Sequence, residues 1–260
     1  MGDRAGEGKS PDDEEFMDRD HYTDLQAAEL YDALNPWSRS DDVFLDWVMG
    51  SRSAIDVGCG TGRLLHRAWR AGHTGDLVGI DPDPGMLAVA SRQGGIEWRQ
   101  AKASDIADCD RFEVAIMASH GFQYLATDDE LDRSLAAIAS ALWPGGRFIF
   151  DTRNPLAREW ETWTPEHPLD VVDPAGRELR MVYRVEDVAG DLVTFTESTC
   201  ERDGTPLRVD RAAFRFLPAE ALNARLQAAG FVVEAQHGDY DGTPLTRDAA
   251  EIVTVARLRE

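Results

Sequence analysis

The 260-residue chain is predicted to fold as an α/β protein, with a doubly wound, mostly parallel sheet and a small antiparallel β insertion. Three observations predict this class. Short apolar runs alternate with helical patterns between residues 53 and 150, as in consecutive βαβ units. The first of these runs leads into three glycines at every second position, Gly58, Gly60 and Gly62. Beyond Pro155 the helical period disappears over about residues 171–216, and alternating runs replace it.

Each element follows from the local sequence, beginning with two helices ahead of the first strand. Apolar residues at helical spacing run from Leu25 to Leu34, and Ser40-Asp41-Asp42 caps a second helix through Val48. Strands are then predicted at 53–57, 77–80, 96–99, 112–118 and 147–150. The helices between these strands are predicted at 62–71, 84–92 and 129–142, and a Pro-Gly-Gly turn closes the last of them.

The segment after residue 155 is predicted to form the antiparallel sheet. Alternating runs at 179–188, 192–200 and 207–216 are separated by turn signals at 189–191 and 203–204. A helix follows over 218–230, because Pro218 suits a first helical turn and Gly230 suits the residue after a helix end. Strands at 231–235 and 252–256 complete the prediction.

Composition restricts the partners of the chain. It carries 48 acidic and 27 basic residues, for a net charge of −21, which repels nucleic acids and anionic membranes at long range. We therefore expect a small-molecule partner, no nucleic acid and no membrane. Three scattered cysteines form no C-x-x-C pair and indicate neither a metal site nor a disulfide framework. No apolar run reaches the length of a membrane helix and no secretory signal is visible. The scattered cysteines fit a reduced cytoplasm, and we expect a monomer or a homodimer.

The glycine-rich turn is the main functional signal, because glycines accept a sharp turn and present bare backbone to a ligand. Its G-x-G-x-G spacing differs from the G-x-G-x-x-G of dinucleotide-binding turns, and no G-K-[ST] follows it. Asp56 precedes the first glycine, where a carboxylate would repel a pyrophosphate but suits a cationic ligand. Asp81 follows the second predicted strand, 19 residues beyond Gly62.

The stretch from Asp56 to Gly62 resembles the first motif of the class I S-adenosylmethionine (SAM)-dependent methyltransferases. Residues 79–87 are similar to the second motif of this family, although Pro84-Gly85 replaces a pair that often contains serine. The resemblance implies SAM as the cofactor and a seven-stranded, Rossmann-like methyltransferase fold. We therefore divide the chain into an acidic tail expected to be disordered (1–20), an N-terminal helical lid (21–52), a SAM-binding core (53–155), a β insertion on the acceptor side (156–217) and a C-terminal helix and strand pair (218–260).

The resemblance also implies which residues bind the cofactor, since ligands of open α/β sheets bind beyond the carboxyl ends of the strands. The glycine-loop backbone would face the methionine and ribose, Asp81 the ribose hydroxyls and Asp105 the adenine amine. Asp56 would hold the loop or the SAM ammonium. The implied cofactor-binding residues are Tyr31, Asp56, Gly58, Cys59, Gly60, Gly62, Asp81, Pro82, Met86, Ser104, Asp105, Ile106, Ala118 and Ser119.

Simpler roles for these residues stay open from the sequence. The glycines alone could form only a tight turn, and Asp81 alone could cap the helix that begins near Pro84. Asp105 could cap a turn, and Cys59 could simply be a small residue within the loop. Tyr31 could pack as an ordinary core residue. The conjunction of these residues, in order and at the family's distances, favours the cofactor site.

The predicted catalytic residues are His120, Tyr124 and Arg153. Methyl transfer is an in-line displacement that depends on alignment, and a base is needed only where proton loss is difficult. His120, at the carboxyl end of the fourth strand, is the candidate base; an orienting or helix-capping role is the alternative. Tyr124, with Gln123, could position the acceptor or pack in the core. Arg153 could bind an acceptor carboxylate or form a structural salt bridge.

We expect a methyltransferase that moves a methyl group from SAM to nitrogen or oxygen of a small-molecule acceptor. The DNA-methylating signature [DN]-P-P-[YF] is absent, because Leu156 follows Asn154-Pro155. A non-catalytic SAM-binding regulator is one alternative. A nicotinamide-dependent oxidoreductase is a second, which the glycine spacing and the preceding acid disfavour.

Overall fold

The computed structural model describes residues 22–260, so the predicted acidic tail, residues 1–20, lies outside the described residues. The helices are α1 (Asp24–Leu34), α2 (Arg39–Met49), α3 (Arg63–Arg70), α4 (Pro84–Ala90), α5 (Asp128–Ala141) and α6 (Ala219–Ala228). The strands are β1 (Ser53–Val57), β2 (Asp76–Asp81), β3 (Glu97–Gln100), β4 (Phe112–Met117), β5 (Leu142–Arg153), β6 (Leu169–Val172), β7 (Glu178–Ala189), β8 (Leu192–Glu201), β9 (Pro206–Arg215), β10 (Phe231–His237) and β11 (Glu251–Leu258).

Two sheets form the framework of the described chain. The larger sheet has seven strands in the order β10-β11-β5-β4-β1-β2-β3. Its strands β1 to β5 pair in parallel, and β11 runs antiparallel to both β5 and β10. The second sheet is antiparallel, in the order β6-β7-β8-β9, and lies between β5 and α6 in sequence. The predicted fold class, seven-stranded and mostly parallel with an antiparallel insertion, is confirmed.

Two details of the predicted strands were wrong. The fifth strand begins at Leu142, directly after α5, and not at Arg147. The Pro144-Gly145-Gly146 sequence lies within the strand as an irregularity, where the β4–β5 register shifts between Phe112 and Val114. The strand β6 was not predicted, because four mostly exposed residues at a sheet edge are too short to show a period.

The core lies on both faces of the seven-stranded sheet. All five residues of β1 are buried, as expected for a central parallel strand covered by helices on each side. On one face, α5 and α6 pack against an aromatic row in which the Phe148 and Phe150 rings stack 4.6 Å apart. On the other face, Phe44 and Val48 of α2 pack against Leu64 of α3. No helix within residues 22–260 is long and apolar enough to cross a membrane.

Helix α1 lies between the glycine-rich turn and the inserted sheet. On one side, the Thr61 hydroxyl donates to Asp32 at 2.7 Å, and Arg92 pairs with Glu29 at 2.6 Å. On the other side, Arg208 of β9 pairs with Asp24 at 2.6 Å.

An apolar cluster joins the helix to β7 through Tyr22, Leu30, Leu179 and Met181. These contacts set α1 beside the carboxyl edge of the sheet, where the predicted site residues collect.

Candidate functional site

The glycine-rich turn is held by backbone hydrogen bonds to the end of β2. The amides of Gly58 and Cys59 donate to the Ile80 carbonyl at 2.8 and 2.9 Å. The Gly60 amide donates to Oδ2 of Asp81 at 2.8 Å. The φ angles of Gly58, Gly60 and Gly62 are +77°, +54° and +75°, a region that L side chains rarely adopt. The glycines are therefore needed for the turn itself, and the turn ties β1 to β2.

The three glycines differ in what surrounds them. A Cβ atom added to Gly58 would meet nothing within 4 Å, and one added to Gly60 would lie 4.0 Å from the Met86 sulfur. A Cβ atom on Gly62 would lie 2.3 Å from the Trp98 ring, so this glycine serves close packing between α3 and β3. The Cys59 side chain is buried. Gly58 and Gly60 thus form the bare surface, which we call the glycine cradle.

Two buried carboxylates flank the glycine cradle. Burial, and then the Asp81 charge, raise the pKa of Asp56 to about 7, and no hydrogen bond or salt bridge within residues 22–260 reaches its carboxylate. Burial also raises the pKa of Asp81, against hydrogen bonds from the Gly60 and Asp83 amides. Asp83, and not Asp81, caps α4, because its Oδ1 accepts from Gly85 at 2.6 Å. The helix-capping alternative for Asp81 therefore does not hold.

This surrounding suits a cationic, hydroxyl-bearing ligand such as SAM. Each Asp81 oxygen accepts one backbone N–H and keeps a second lone pair for a hydroxyl. The buried Asp56 carboxylate has no cation beside it among the described residues, and an unpaired buried charge is costly. Open space above Gly58 leaves room for a ligand against bare backbone. The residues present therefore fit SAM, and Asp56 and Asp81 are the carboxylates that would hold it.

The other implied cofactor contacts lie around the ends of β2, β3 and β4. Pro82, Asp105 and Ser119 are exposed, and Met86, Ser104, Ile106 and Ala118 are half-buried. Ser104 donates to Asp105 at 3.4 Å within a short helical turn. Tyr31 is half-buried; burial raises its pKa, and the nearby Ser119 side chain opposes the rise. Tyr31 of helix α1 therefore lies beside the loop after β4.

The loop after β4 brings together residues that are far apart in sequence. Ser119 and His120 both have positive φ angles, +56° and +60°, so the chain turns sharply there. Nε2 of His120 lies 2.9 Å from Oε2 of Glu251 and 3.5 Å from Oδ2 of Asp151. The Tyr240 hydroxyl donates to the same Asp151 oxygen at 2.6 Å. We call these residues the His120 cluster. Glu251 was not predicted, because nothing in the local sequence links it to a histidine 131 residues earlier.

Gln123 and Arg153 form a structural joint near this cluster. Gln123 is fully buried, which excludes the predicted role in holding the acceptor, and its Oε1 accepts from the Arg153 amide and guanidinium at 3.2 and 3.1 Å. The Arg153 Nε atom pairs with Glu159 at 3.1 Å, and the guanidinium lies over the Trp163 ring at 5.4 Å. These contacts favour the salt-bridge alternative for Arg153; its binding of an acceptor stays a prediction.

Tyr124 contacts the inserted sheet, where its ring meets the Phe214 ring of β9 edge-on with the centroids 4.6 Å apart. It is 58% exposed, so the core-packing alternative does not hold. Desolvation and then the Glu197 charge raise its pKa. Tyr183 of β7 and Glu197 of β8 are cross-strand partners in the inserted sheet, and burial raises the pKa of Glu197. We call Tyr124, Tyr183 and Glu197 the tyrosine–glutamate group.

Together, a parallel sheet, a bare glycine turn and two buried carboxylates at neighbouring strand ends define a nucleoside-binding α/β protein of the SAM-dependent class. Comparison with known proteins supports this class. The sequence profile of the methyltransferase domain family matches residues 54–146. That stretch is a methyltransferase domain of the SAM-dependent kind, with SAM as its cofactor.

Relatives of known sequence cover the chain to different extents. A Geobacillus methyltransferase is 27% identical over 110 residues, which span 40% of this chain and 44% of that protein. A cypemycin N-terminal methyltransferase of a Streptomyces species is 25% identical over 252 residues, 89% of this chain and 96% of that protein. The chain thus spans less than half of the first relative and nearly all of the second.

Solved structures share the fold over most of the chain. The sugar N-methyltransferase KedS8 from Streptoalloteichus has a TM-score of 0.68 at 24% identity, and the match covers 100% of both chains. A SAM-dependent methyltransferase from Clostridium acetobutylicum has a TM-score of 0.72 at 18% identity and covers 90% of this chain and 98% of that one. At these identities the likeness concerns the fold.

Proposed function

We propose that the chain transfers a methyl group from SAM to nitrogen or oxygen of a small-molecule acceptor, and that an amine nitrogen is the preferred target. The observation that carries the proposal is the tyrosine–glutamate group, in which Tyr183 and Glu197 are cross-strand partners on one face of the inserted sheet. A half-buried carboxylate beside tyrosines suits an amine, which it can bind as the cation. The bound cation must lose one proton to water before its nitrogen has the lone pair that attacks the methyl group. The names of two similar proteins, cypemycin N-terminal methyltransferase and sugar N-methyltransferase KedS8, support nitrogen.

The division of work in the site follows from its geometry. When bound, SAM supplies a methyl group on a sulfonium, and an attacking acceptor nitrogen displaces a neutral thioether. The residues of the chain orient the reactants: Asp56 and Asp81 hold the cofactor, and Tyr124 with Glu197 holds the acceptor. Alignment at close approach accounts for most of the rate gain. His120 accepts the proton that the acceptor nitrogen loses.

The setting of the protein is also part of the proposal. The net charge of −21 disfavours nucleic acid as a substrate, since the phosphate backbone would be repelled. Cys59 and Cys200 are free and buried, which suits a reducing, cytoplasmic environment. We propose that residues 21–52 act as a lid and residues 156–217 as the acceptor side, with Tyr31 of α1 contacting the cofactor. A monomer or a homodimer is consistent with this arrangement.

Calorimetry and a product assay test the proposal. SAM should bind and NADH should not, and tight NADH binding without SAM binding would refute the methyltransferase assignment. Incubation with methyl-labelled SAM and a panel of matched amines and alcohols should label amines first. SAM binding with no labelled product from any acceptor would instead support a regulator. His120→Gln should lower turnover by about 100-fold while leaving SAM affinity unchanged, since a general base contributes about 10²–10⁴-fold.

A further inference from the structure

The His120 cluster defines the protonation state of the histidine ring. A carboxylate can only accept hydrogen bonds, so the 2.9 Å contact between Nε2 of His120 and Oε2 of Glu251 requires a hydrogen on Nε2. In the neutral ring, the lone pair must then be on Nδ1. Nδ1 makes no hydrogen bond with any of residues 22–260. The free, basic nitrogen of His120 is therefore Nδ1.

Asp151 and Glu251 act on different parts of this histidine. Asp151 is fully buried, and its Oδ1 accepts from the His120 backbone amide at 3.2 Å. Its Oδ2 accepts from the Tyr240 hydroxyl at 2.6 Å. Asp151 thus fixes the strained backbone turn, whereas Glu251, with 15% of its side chain exposed, holds the ring. Glu251 reaches this position because β11 pairs with β5 in a register that sets it opposite Arg153.

We propose that Glu251 is a positioning residue that keeps His120 in the tautomer with hydrogen on Nε2, so that Nδ1 accepts the acceptor's proton. This inference rests on the proposed function. In the step, the acceptor nitrogen forms a bond to the methyl carbon and the carbon–sulfur bond breaks with its electron pair going to sulfur. The N–H proton passes to Nδ1, and the imidazolium later releases a proton to water. The Glu251 carboxylate stabilises the imidazolium meanwhile, as in other base–carboxylate pairs.

The groups that face His120 come from several elements. Asp151 and Arg153 lie on β5 and Glu251 lies on β11, and all three share one face of the sheet. Tyr240 follows β10; burial and then the Asp151 and Glu251 charges raise its pKa, so it stays a neutral donor at ordinary pH. The Asp151 charge also contributes to the raised pKa of Tyr31 in α1. Two carboxylates therefore face one imidazole.

A divalent ion is the competing occupant of this cluster. The ligand atoms of His120, Asp151 and Glu251 all lie within 4.8 Å of one another. The hydrogen-bonding distances favour the proton, because Oδ2 of Asp151 is already taken by the Tyr240 hydroxyl and Nε2 of His120 by Glu251. An ion would have to displace both hydrogens.

Nitrogen NMR of histidine-labelled protein tests the inference without any acceptor. The His120 signals, assigned by their loss in His120→Gln, should show hydrogen on Nε2 in the neutral ring of the wild type. In Glu251→Ala, the second tautomer should gain population, and kcat should fall by about tenfold or more with KM and SAM affinity nearly unchanged. Glu251→Gln still offers an acceptor oxygen, so it should keep the tautomer and recover part of kcat. Glu201→Gln, an exposed change at the end of β8, is the matched control.

Three outcomes would overturn the inference: hydrogen on Nδ1 in the wild type, an unchanged tautomer and kcat in Glu251→Ala, or stoichiometric Mn²⁺ or Zn²⁺ binding that is lost in this variant. SAM calorimetry on each variant reports whether the fold is intact. A failure of the proposed function looks different, because it would remove product in every variant while the tautomer signals remain.

Discussion

Replacing Asp56 with asparagine is expected to stabilise the protein without cofactor and to weaken SAM binding. Burial, and then the Asp81 charge, raise the pKa of Asp56 from its ordinary value of 3.8 to about 7 in the folded protein. A raised carboxyl pKa means that the folded state holds more protons, so stability falls as pH rises between these two values. This rise in the Asp56 pKa corresponds to about 4 kcal/mol of destabilisation once the carboxylate is fully ionised above pH 7.

The effect should therefore depend on pH. Because protonation and folding are linked, ionised Asp56 should destabilise the wild type by about 2–3 kcal/mol more at pH 8 than at pH 5. Asp56→Asn removes that difference, although burial of the unpaired amide offsets part of the gain, by about 1–3 kcal/mol. Urea denaturation of the cofactor-free protein at both pH values measures the difference. Asp248→Asn, an exposed change, should show none of it.

The number of protons released when SAM binds should depend on the ionisation of Asp56. A bound cation favours ionised Asp56, so near pH 6.5 the wild type should release up to about one proton per SAM. Calorimetry in buffers of different ionisation enthalpy counts this proton, and Asp56→Asn should abolish it and weaken binding. If the variant were less stable at both pH values and bound SAM with unchanged affinity and proton release, the assignment of Asp56 as an unpaired, cofactor-facing charge would be wrong.

Three further predictions follow from the same site. Gly58→Ala should lower the free energy of unfolding by only about 1–2 kcal/mol, because of its left-handed backbone, and should weaken SAM binding. Gly62→Ala should lower the free energy of unfolding by about 1–3 kcal/mol more, because its Cβ would lie 2.3 Å from the Trp98 ring. Urea denaturation of the two variants measures the difference. Asp81→Ala should weaken SAM binding by about 1–3 kcal/mol by calorimetry, and unchanged affinity would contradict its role. Glu197→Gln should raise KM for amine acceptors but not for matched alcohols in the labelled-methyl assay; an equal change for both would argue against binding of the amine as a cation by Glu197.

The doubly wound sheet was predictable because its signals are local, and the SAM cofactor was predictable because the motifs that carry the family resemblance are short and local. Strand β1 matches its predicted range residue for residue, since an unbroken buried run ends at a glycine turn that only glycines can form. The turn presents bare backbone, and this property is visible in the spacing of Gly58, Gly60 and Gly62. Local signals failed where a strand was short and exposed, as in β6, and where Pro144 lies inside a strand instead of ending a helix.

The sequence alone determined the class of the sheet, the position of the glycine turn and the acids that follow the strands, because periodicity and turn chemistry depend on near neighbours. Only the tertiary structure decided which distant groups meet. Glu251 reaches His120 because β11 inserts beside β5, and Gly62 is confined by Trp98 because α3 packs on β3. Such contacts depend on strand order and register, which no local pattern encodes. The pairing that determines the basic nitrogen of His120 is therefore a property of the folded sheet.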